Sequence, residues 1–89
     1  MRELVKIVAD GIRDLETLKL LDENNVTTSL RLEPKTKKYA LEVAVSVASP
    51  EILNLCLIVF GEIREKTRHS MGVLENDLRS KLIVEFYEQ

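Results

Sequence analysis

Residues 26–48 read VTTSLRLEPKTKKYALEVAVSVA, and this stretch decides the fold. Between Val26 and Glu33 every second residue is the more apolar one, and the segment 34–38, rich in proline and lysine, then interrupts the alternation. Alternation with a period of two indicates a β-strand with one buried face, and such a polar segment between two strands indicates a turn. The sequence therefore predicts a β-hairpin over residues 26–48.

The second strand of this hairpin has one large apolar face and one face of small residues. The first face holds Tyr39, Leu41, Val43, Val45 and Val47, and the second holds Ala40, Glu42, Ala44, Ser46 and Ala48. Small side chains allow another layer to approach closely. We therefore expect this strand to be central in its sheet or to lie against a second subunit.

A helix is predicted over residues 50–71, because Ser49 is a typical N-cap, Pro50 suits the first turn and Met71-Gly72 suits the end. Within it, eight of the nine residues 52–60 are apolar, which is too many for a helix that packs on one side only. At about 100° per residue, one stripe suits the core. It comprises Ile52, Leu53, Cys56, Val59, Phe60 and Ile63.

Three further apolar side chains of this helix point away from the core stripe: Leu55, Leu57 and Ile58. Full burial of such a side chain contributes about 1.5–3 kcal/mol, so leaving three of them in water forfeits much of the stability of a small domain. We therefore predict an interface here, rimmed by Asn54, Gly61 and Glu65. The expected partner is another copy of the chain, with a dimer as the first expectation, or a different protein.

The two ends of the chain allow alternatives. The amphipathic pattern from Arg2 favours a long helix ending near Asn24-Asn25, but a strand over residues 4–9 followed by a shorter helix would give the β-α-β-β-α-β order of a ferredoxin-like fold. At the other end, residues 73–79 are ambiguous and residues 81–88 favour a strand. The spacing of Leu74, Leu78, Leu82 and Phe86 keeps a final helix open.

The elements together predict a single α+β domain over residues 1–89. An antiparallel sheet, made of the hairpin and the strand 81–88, is packed by two or three helices in the order α-β-β-α-(α)-β. With 89 residues, 45% hydrophobic and 31% charged, the composition is typical of a soluble globular domain. Its abundant Glu, Lys and Arg are also compatible with a thermophile.

Charge and cysteine content limit the function classes. A net charge of −2 and a pI near 5.4 argue against a general binder of nucleic acid or anionic membranes. No apolar run approaches the ~20 residues that span a bilayer, and the N-terminus lacks a secretory pattern, so we expect a cytoplasmic protein without membrane contacts. The single cysteine, Cys56, fits a reducing compartment.

No catalytic or cofactor signature is present in the sequence. Cys56 and His69 are too far apart on one predicted helix to share a metal, and no third ligand lies between them. Cys56 lies in the apolar stripe, where burial makes a thiol inert, so we assign it to core packing. We expect no metal, no cofactor and no enzymatic activity.

Five basic residues are candidate nucleic-acid contacts. Lys35, Lys37 and Lys38 crowd the hairpin turn, and Arg64 and Arg68 lie four apart on the second helix. Such residues can grip phosphates. The competing interpretation is that they are ordinary solvated charges of a turn and a helix end.

The order helix, hairpin, helix with a break at residues 60–64, then a last strand ending Ile83-Val84-Glu85-Phe86-Tyr87, is similar to that of type II KH domains, in particular ribosome-binding factor A. This resemblance implies RNA binding, although the chain has no G-x-x-G loop. With a strand at the N-terminus, the hairpin, Ser49-Pro50-Glu51 and the apolar helix instead resemble the small dimerising subunit of the KEOPS tRNA-modification complex. That resemblance implies association through the helix.

The sequence thus favours a non-catalytic interaction module or small accessory subunit that associates through the helix 50–71. The alternatives are a KH-like RNA-binding factor in ribosome or tRNA maturation, and a small-ligand regulatory domain at a dimer interface. These belong to different classes, and the placement of the apolar and basic residues named above bears on the choice between them.

Overall fold

A computed structural model describes residues 2–47, 49–77 and 81–88 of the chain. It has the predicted α+β architecture, with two α-helices and a four-stranded antiparallel sheet in the described residues. In chain order, the elements are α1 (Arg2–Thr17), a 3-10 turn (Glu23–Asn25), β1 (Val26–Leu32), β2 (Tyr39–Ser46), α2 (Pro50–Thr67), β3 (Ser70–Asp77) and β4 (Lys81–Tyr87).

The strands lie in the order β1-β2-β4-β3, and each neighbouring pair is antiparallel. The predicted hairpin is confirmed: β1 pairs with β2 in regular register from Val26 opposite Val45 to Leu32 opposite Tyr39. The prediction that its second strand is central is confirmed as well, since β2 lies between β1 and β4. Ala48 lies outside the described residues.

Both helices pack on one face of the sheet. On that face Leu41, Val43 and Val45 of β2 lie opposite Phe86, Val84 and Leu82 of β4. The helices contribute Leu4, Val8, Ile12 and Leu15 from α1 and Leu53, Cys56, Phe60 and Ile63 from α2. The rings of Phe60 and Phe86 meet edge to face with centroids 6.2 Å apart, a favoured geometry for an aromatic pair.

The N-terminal helix is confirmed, and the alternative strand over residues 4–9 is wrong. The helix ends at Thr17 rather than near Asn24-Asn25. Lys19 adopts a left-handed conformation with φ of 61°. The Leu20 N–H donates to the Leu15 carbonyl and the Lys19 N–H to the Glu16 carbonyl, both at 2.9 Å. This pair of bonds is a Schellman motif, which closes the helix without a glycine.

The second helix is also shorter than predicted, ending at Thr67 instead of residue 71. Arg68 is left-handed there, and its N–H and that of His69 donate to the Glu65 and Arg64 carbonyls in another Schellman motif. Met71 and Gly72 belong to β3 and not to a helix end. The helix runs unbroken through residues 60–64.

The strand β3 replaces the optional third helix of the prediction, and β4 confirms the predicted C-terminal strand. The alternative final helix is therefore wrong for Leu74, Leu82 and Phe86, which lie on strands. Leu78 and Arg79 lie outside the described residues. Ser70–Asp77 lacks the alternating pattern of a strand, so its extended conformation depends on pairing with β4.

Candidate interaction surfaces

The surface of α2 that faces away from the sheet carries two exposed apolar side chains. Leu55 is 43% exposed and Ile58 is 57% exposed. Residues three apart are neighbours on a helix, so the two side chains form one patch. We call this surface, with the predicted rim residues Asn54, Gly61 and Glu65, the outer face of α2.

The other predicted interface residues differ in how exposed they are around this patch. Asn54 and Glu65 are exposed, and no atom lies within 4 Å of where a Cβ on Gly61 would stand. Leu57 is half-buried and packs against the core on the opposite flank of the helix. The fold thus brings Leu55 and Ile58 together, while Leu57 contributes mainly to the monomer.

A groove between the two helices, lined by apolar residues and by the charged Asp10, Asp14, Glu62 and Lys66, adjoins the outer face. It has a volume of about 450 Å³, and its apolar lining includes Leu18 and Val59. Val59 lies one helical turn from Leu55, so the groove continues the exposed patch toward α1. Leu18 is 68% exposed because α1 ends at Thr17. The sequence predicted a helix that continues to Asn24-Asn25, so it gave no sign that this side chain lies just beyond a helix end.

The five candidate phosphate contacts all lie at one end of the molecule. Tyr87 pairs with Ala40 at the start of β2 and with Ser70 at the start of β3. The hairpin turn with its three lysines and the C-terminal end of α2 with Arg64 and Arg68 therefore meet the same end of the sheet. We call this the basic end. Two to three inter-strand spacings of about 4.8 Å, or ~10–15 Å, lie between the hairpin and the start of β3.

Charges at the basic end are exposed and only partly neutralised. Lys35, Lys37 and Lys38 are exposed on a turn closed by reciprocal 2.8 Å bonds, Lys37 N–H to Glu33 carbonyl and Glu33 N–H to Lys38 carbonyl. Arg64 makes an ion pair of 3.5 Å with its neighbour Glu65. Exposed pairs of this kind contribute little and leave a guanidinium accessible to other anions.

The sheet face opposite the helices, which we call the open face, holds a charged pair that sequence reasoning missed. Glu85 of β4 is 2% exposed, and its carboxylate accepts a 2.7 Å bond from the Arg31 guanidinium of β1. This contact raises the pKa of Arg31, first through the hydrogen bond and then through charge. The sequence did contain one sign of this pair, because Glu85 is the single charged residue within the apolar run Ile83–Phe86.

Tyr87 extends this group. The Glu85 carboxylate raises the pKa of the Tyr87 hydroxyl, mainly as its hydrogen-bond acceptor, while burial and the negative charge of Glu85 raise it further. The Tyr87 side chain lies beside Gly72 of β3, where a Cβ would meet the ring at 3.5 Å and the hydroxyl oxygen at 3.6 Å. The three side chains thus tie β1, β4 and β3 together on the open face.

Cys56 and His69 do not approach each other in a site. Cys56 is fully buried in the core, and that burial raises the pKa of its thiol. The His69 ring lies 3.0 Å from the Thr67 carbonyl at the end of α2. Over residues 2–47, 49–77 and 81–88, no group of His, Cys, Asp and Glu side chains is placed to hold a metal ion.

None of the described helices is both long enough and apolar enough to cross a membrane. Comparisons of the chain with protein-family models, with curated proteins and with solved structures found no match.

Proposed function

We propose that the protein is a non-catalytic interaction module, a small accessory subunit that associates through the outer face of α2 with another copy or with a protein partner. The observation that carries this proposal is the exposure of Leu55 and Ile58 side by side on a helix whose other faces are packed. A helix buried on one side ordinarily presents polar residues to water. An apolar patch with a polar rim is typical of a protein interface.

The energetic support comes from the area still exposed. Full burial of a leucine or isoleucine is worth about 1.5–3 kcal/mol, and roughly half of that remains unrealised at each of these two positions. The adjoining groove lined by Leu18 and Val59 adds apolar surface that a partner side chain can fill. Burial of this surface favours association, and the rim residues Asn54 and Glu65 limit its extent.

Light scattering on the purified chain tests this proposal. If the chain forms a homo-oligomer, the variants Leu55→Ser and Ile58→Ser should shift the molar mass toward the monomer. Leu74→Ser is the matched control, since Leu74 has similar exposure, 51%, but lies on β3. If the chain is a monomer, the same variants should weaken capture of a defined partner. Association that survives both α2 variants would contradict the proposal.

A second candidate function is RNA binding, and the basic end is the observation that favours it. Residues far apart in the chain, the hairpin lysines and Arg64 with Arg68, meet at one end of the sheet. Their spacing of ~10–15 Å exceeds the distance between adjacent phosphates, so the two groups would contact phosphates at least two nucleotides apart on one RNA strand. Contacts of this kind position RNA without reading its sequence.

RNA affinity measured at several salt concentrations tests this candidate. The variant Lys37→Gln should lower affinity and reduce the slope of log affinity against log salt by about 0.7. Lys19→Gln is the matched control, because Lys19 is also an exposed, left-handed lysine in a turn but lies after α1 at the other end. Equal effects of the two variants, or no binding at low salt, would contradict RNA recognition by the basic end.

A further inference from the structure

The edge of the sheet formed by β1 is unusually open to strand pairing. Its seven residues, Val26–Leu32, run in regular register beside β2, and six of them are exposed. Natural edge strands commonly carry a lysine, a proline or a bulge that blocks pairing with another chain. β1 has none of these, and Arg31, its one charged residue, is held by Glu85 across the open face.

The opposite edge differs in this respect. β3 contains a register shift between Val73 and Glu75 where it pairs with β4. A bulge of this kind interrupts the ladder and twists the strand, so a second chain cannot pair along its length. The two edges of one sheet are thus unequal, and β1 is the edge competent for pairing.

We propose that two copies of this chain pair antiparallel through β1, forming a continuous eight-stranded sheet. This interface is separate from the outer face of α2 and does not depend on it. A two-fold axis through Ser29 pairs all seven residues of each strand, with Val26 opposite the partner's Leu32 and Thr28 opposite the partner's Leu30. Residues directly opposite share a sheet face, so this register matches helix side to helix side.

An exposed leucine and a hollow become complementary in this register. Leu30 is 50% exposed, on the face of the sheet that the helices cover. The residue opposite it in the partner, Thr28, lines a hollow of about 260 Å³ between α1 and the sheet. The hollow is mostly apolar, with Val8, Ile12 and Leu41 in its lining, and Arg13 and Glu16 also line it. The two-fold axis therefore directs each Leu30 toward this mostly apolar hollow of the other copy, twice per dimer.

Charge supports a second copy as the occupant. Antiparallel pairing places the turn with Lys35, Lys37 and Lys38 of one copy beside the turn that precedes β1 in the other. That turn carries two acidic residues, Asp22 and Glu23, against one lysine, Lys19, so its net charge is −1. Turns of opposite net charge then meet at both ends of the paired strands, whereas a parallel arrangement would bring the two lysine turns together. With opposite net charges at the two ends of β1, the edge of one copy is complementary to the same edge of another copy.

Cysteine cross-linking tests the proposed register. Antiparallel partners have Cα atoms about 4.5–5.5 Å apart, within the range that a disulfide bridges. Ser29→Cys should therefore form a covalent dimer on mild oxidation. Ser46→Cys is the matched control, an exposed serine on the same sheet face but outside β1. The native Cys56 is fully buried and should not react. Equal cross-linking of the two variants overturns the proposal.

Sedimentation of the chain without added cysteines provides the second readout. Ser29→Lys places two like charges across the two-fold axis and should weaken dimerisation about fivefold. Ser46→Lys should not. A wild-type chain that stays monomeric at high micromolar concentration overturns the proposal.

A double variant distinguishes pairing through β1 from association through the outer face of α2. Cross-linking of Ser29→Cys should persist when Ile58→Ser is added, because the β1 edge does not include α2. Loss of the cross-link in that double variant would show that the β1 contact depends on α2 and would overturn an independent edge interface. Persistence of the cross-link alongside failure of the α2 variants to alter assembly would support edge pairing and contradict the proposed function.

Discussion

Glu85 is a carboxylate at a position that ordinarily excludes charge, and its neighbours explain how it is tolerated. It lies directly opposite Glu42 of β2 on the open face, an arrangement of like charges that is unfavourable by itself. Arg31 reaches across from β1 and bonds Glu85 at 2.7 Å, and the charge of Glu42 further raises the pKa of Arg31. Removing Arg31 would leave both carboxylates without this compensation.

The free energy of unfolding should depend on pH through the ionisation of Tyr87. Because Glu85 raises the pKa of Tyr87 in the folded protein, the folded state holds the phenol proton more tightly than the unfolded state. The free energy of unfolding should therefore fall as the pH rises above about 10, the unfolded pKa of tyrosine, until it passes the folded pKa.

Chemical denaturation at a series of alkaline pH values checks this expectation. Tyr87→Phe should flatten the decline relative to wild type. Tyr39→Phe is the control, because Tyr39 of β2 lies on the helix side of the sheet and Glu85 lies on the open face. An unchanged slope in Tyr87→Phe would contradict the assignment.

At the scale of elements, the helix ends show why boundaries were harder to predict than the elements themselves. Both helices close through a left-handed lysine or arginine, Lys19 and Arg68, where sequence signals favour glycine. The Met71-Gly72 pair suggested a helix end four residues late and concealed β3. The hairpin was predictable because the alternation of β1 and β2 is a local property.

Two helical glycines form a matched pair for a stability test. Gly61 of α2 has open space where a Cβ would stand, so Gly61→Ala should raise the free energy of unfolding by about 0.5–1 kcal/mol through helix propensity. Gly11 of α1 faces α2, and a Cβ there would meet Ile63 Cδ1 at 3.2 Å. Gly11→Ala should gain less or lose stability, because Ile63 must shift.

Urea denaturation of both variants measures the difference. The test requires the m-value to stay constant, so that a change in midpoint reports stability. A larger gain for Gly11→Ala than for Gly61→Ala would contradict the described packing of α1 against α2.

At the scale of the whole molecule, the candidate surfaces depend on information that is not local. Periodicity identified Leu55 and Ile58 as facing away from the core, and their exposure agrees with that interpretation. The same periodicity grouped Leu57 with them, whereas it packs against the core cluster. The competence of β1 for pairing follows from strand order, because a strand is an edge only once the whole sheet is assembled.

Hydrogen exchange should reveal this inequality among strands. β2 and β4 have a partner on each side, so their amides should exchange slowest, through global unfolding. Half of the β1 amides point away from β2 and should exchange rapidly in dilute solution. If β1 pairs with another copy, these amides should become protected as protein concentration rises. Protection of β1 that does not change with concentration would contradict edge pairing.

The burial of Cys56 gives the molecule a built-in reporter. A thiol reagent can reach this side chain only when α2 lifts from the sheet or the domain unfolds, since its exposure in the closed state is 0%. The rate of alkylation therefore measures how often the core opens, without any added label. Ligands or partners that hold α2 in place would slow that reaction, so the lone thiol can serve as an assay for whatever binds this protein.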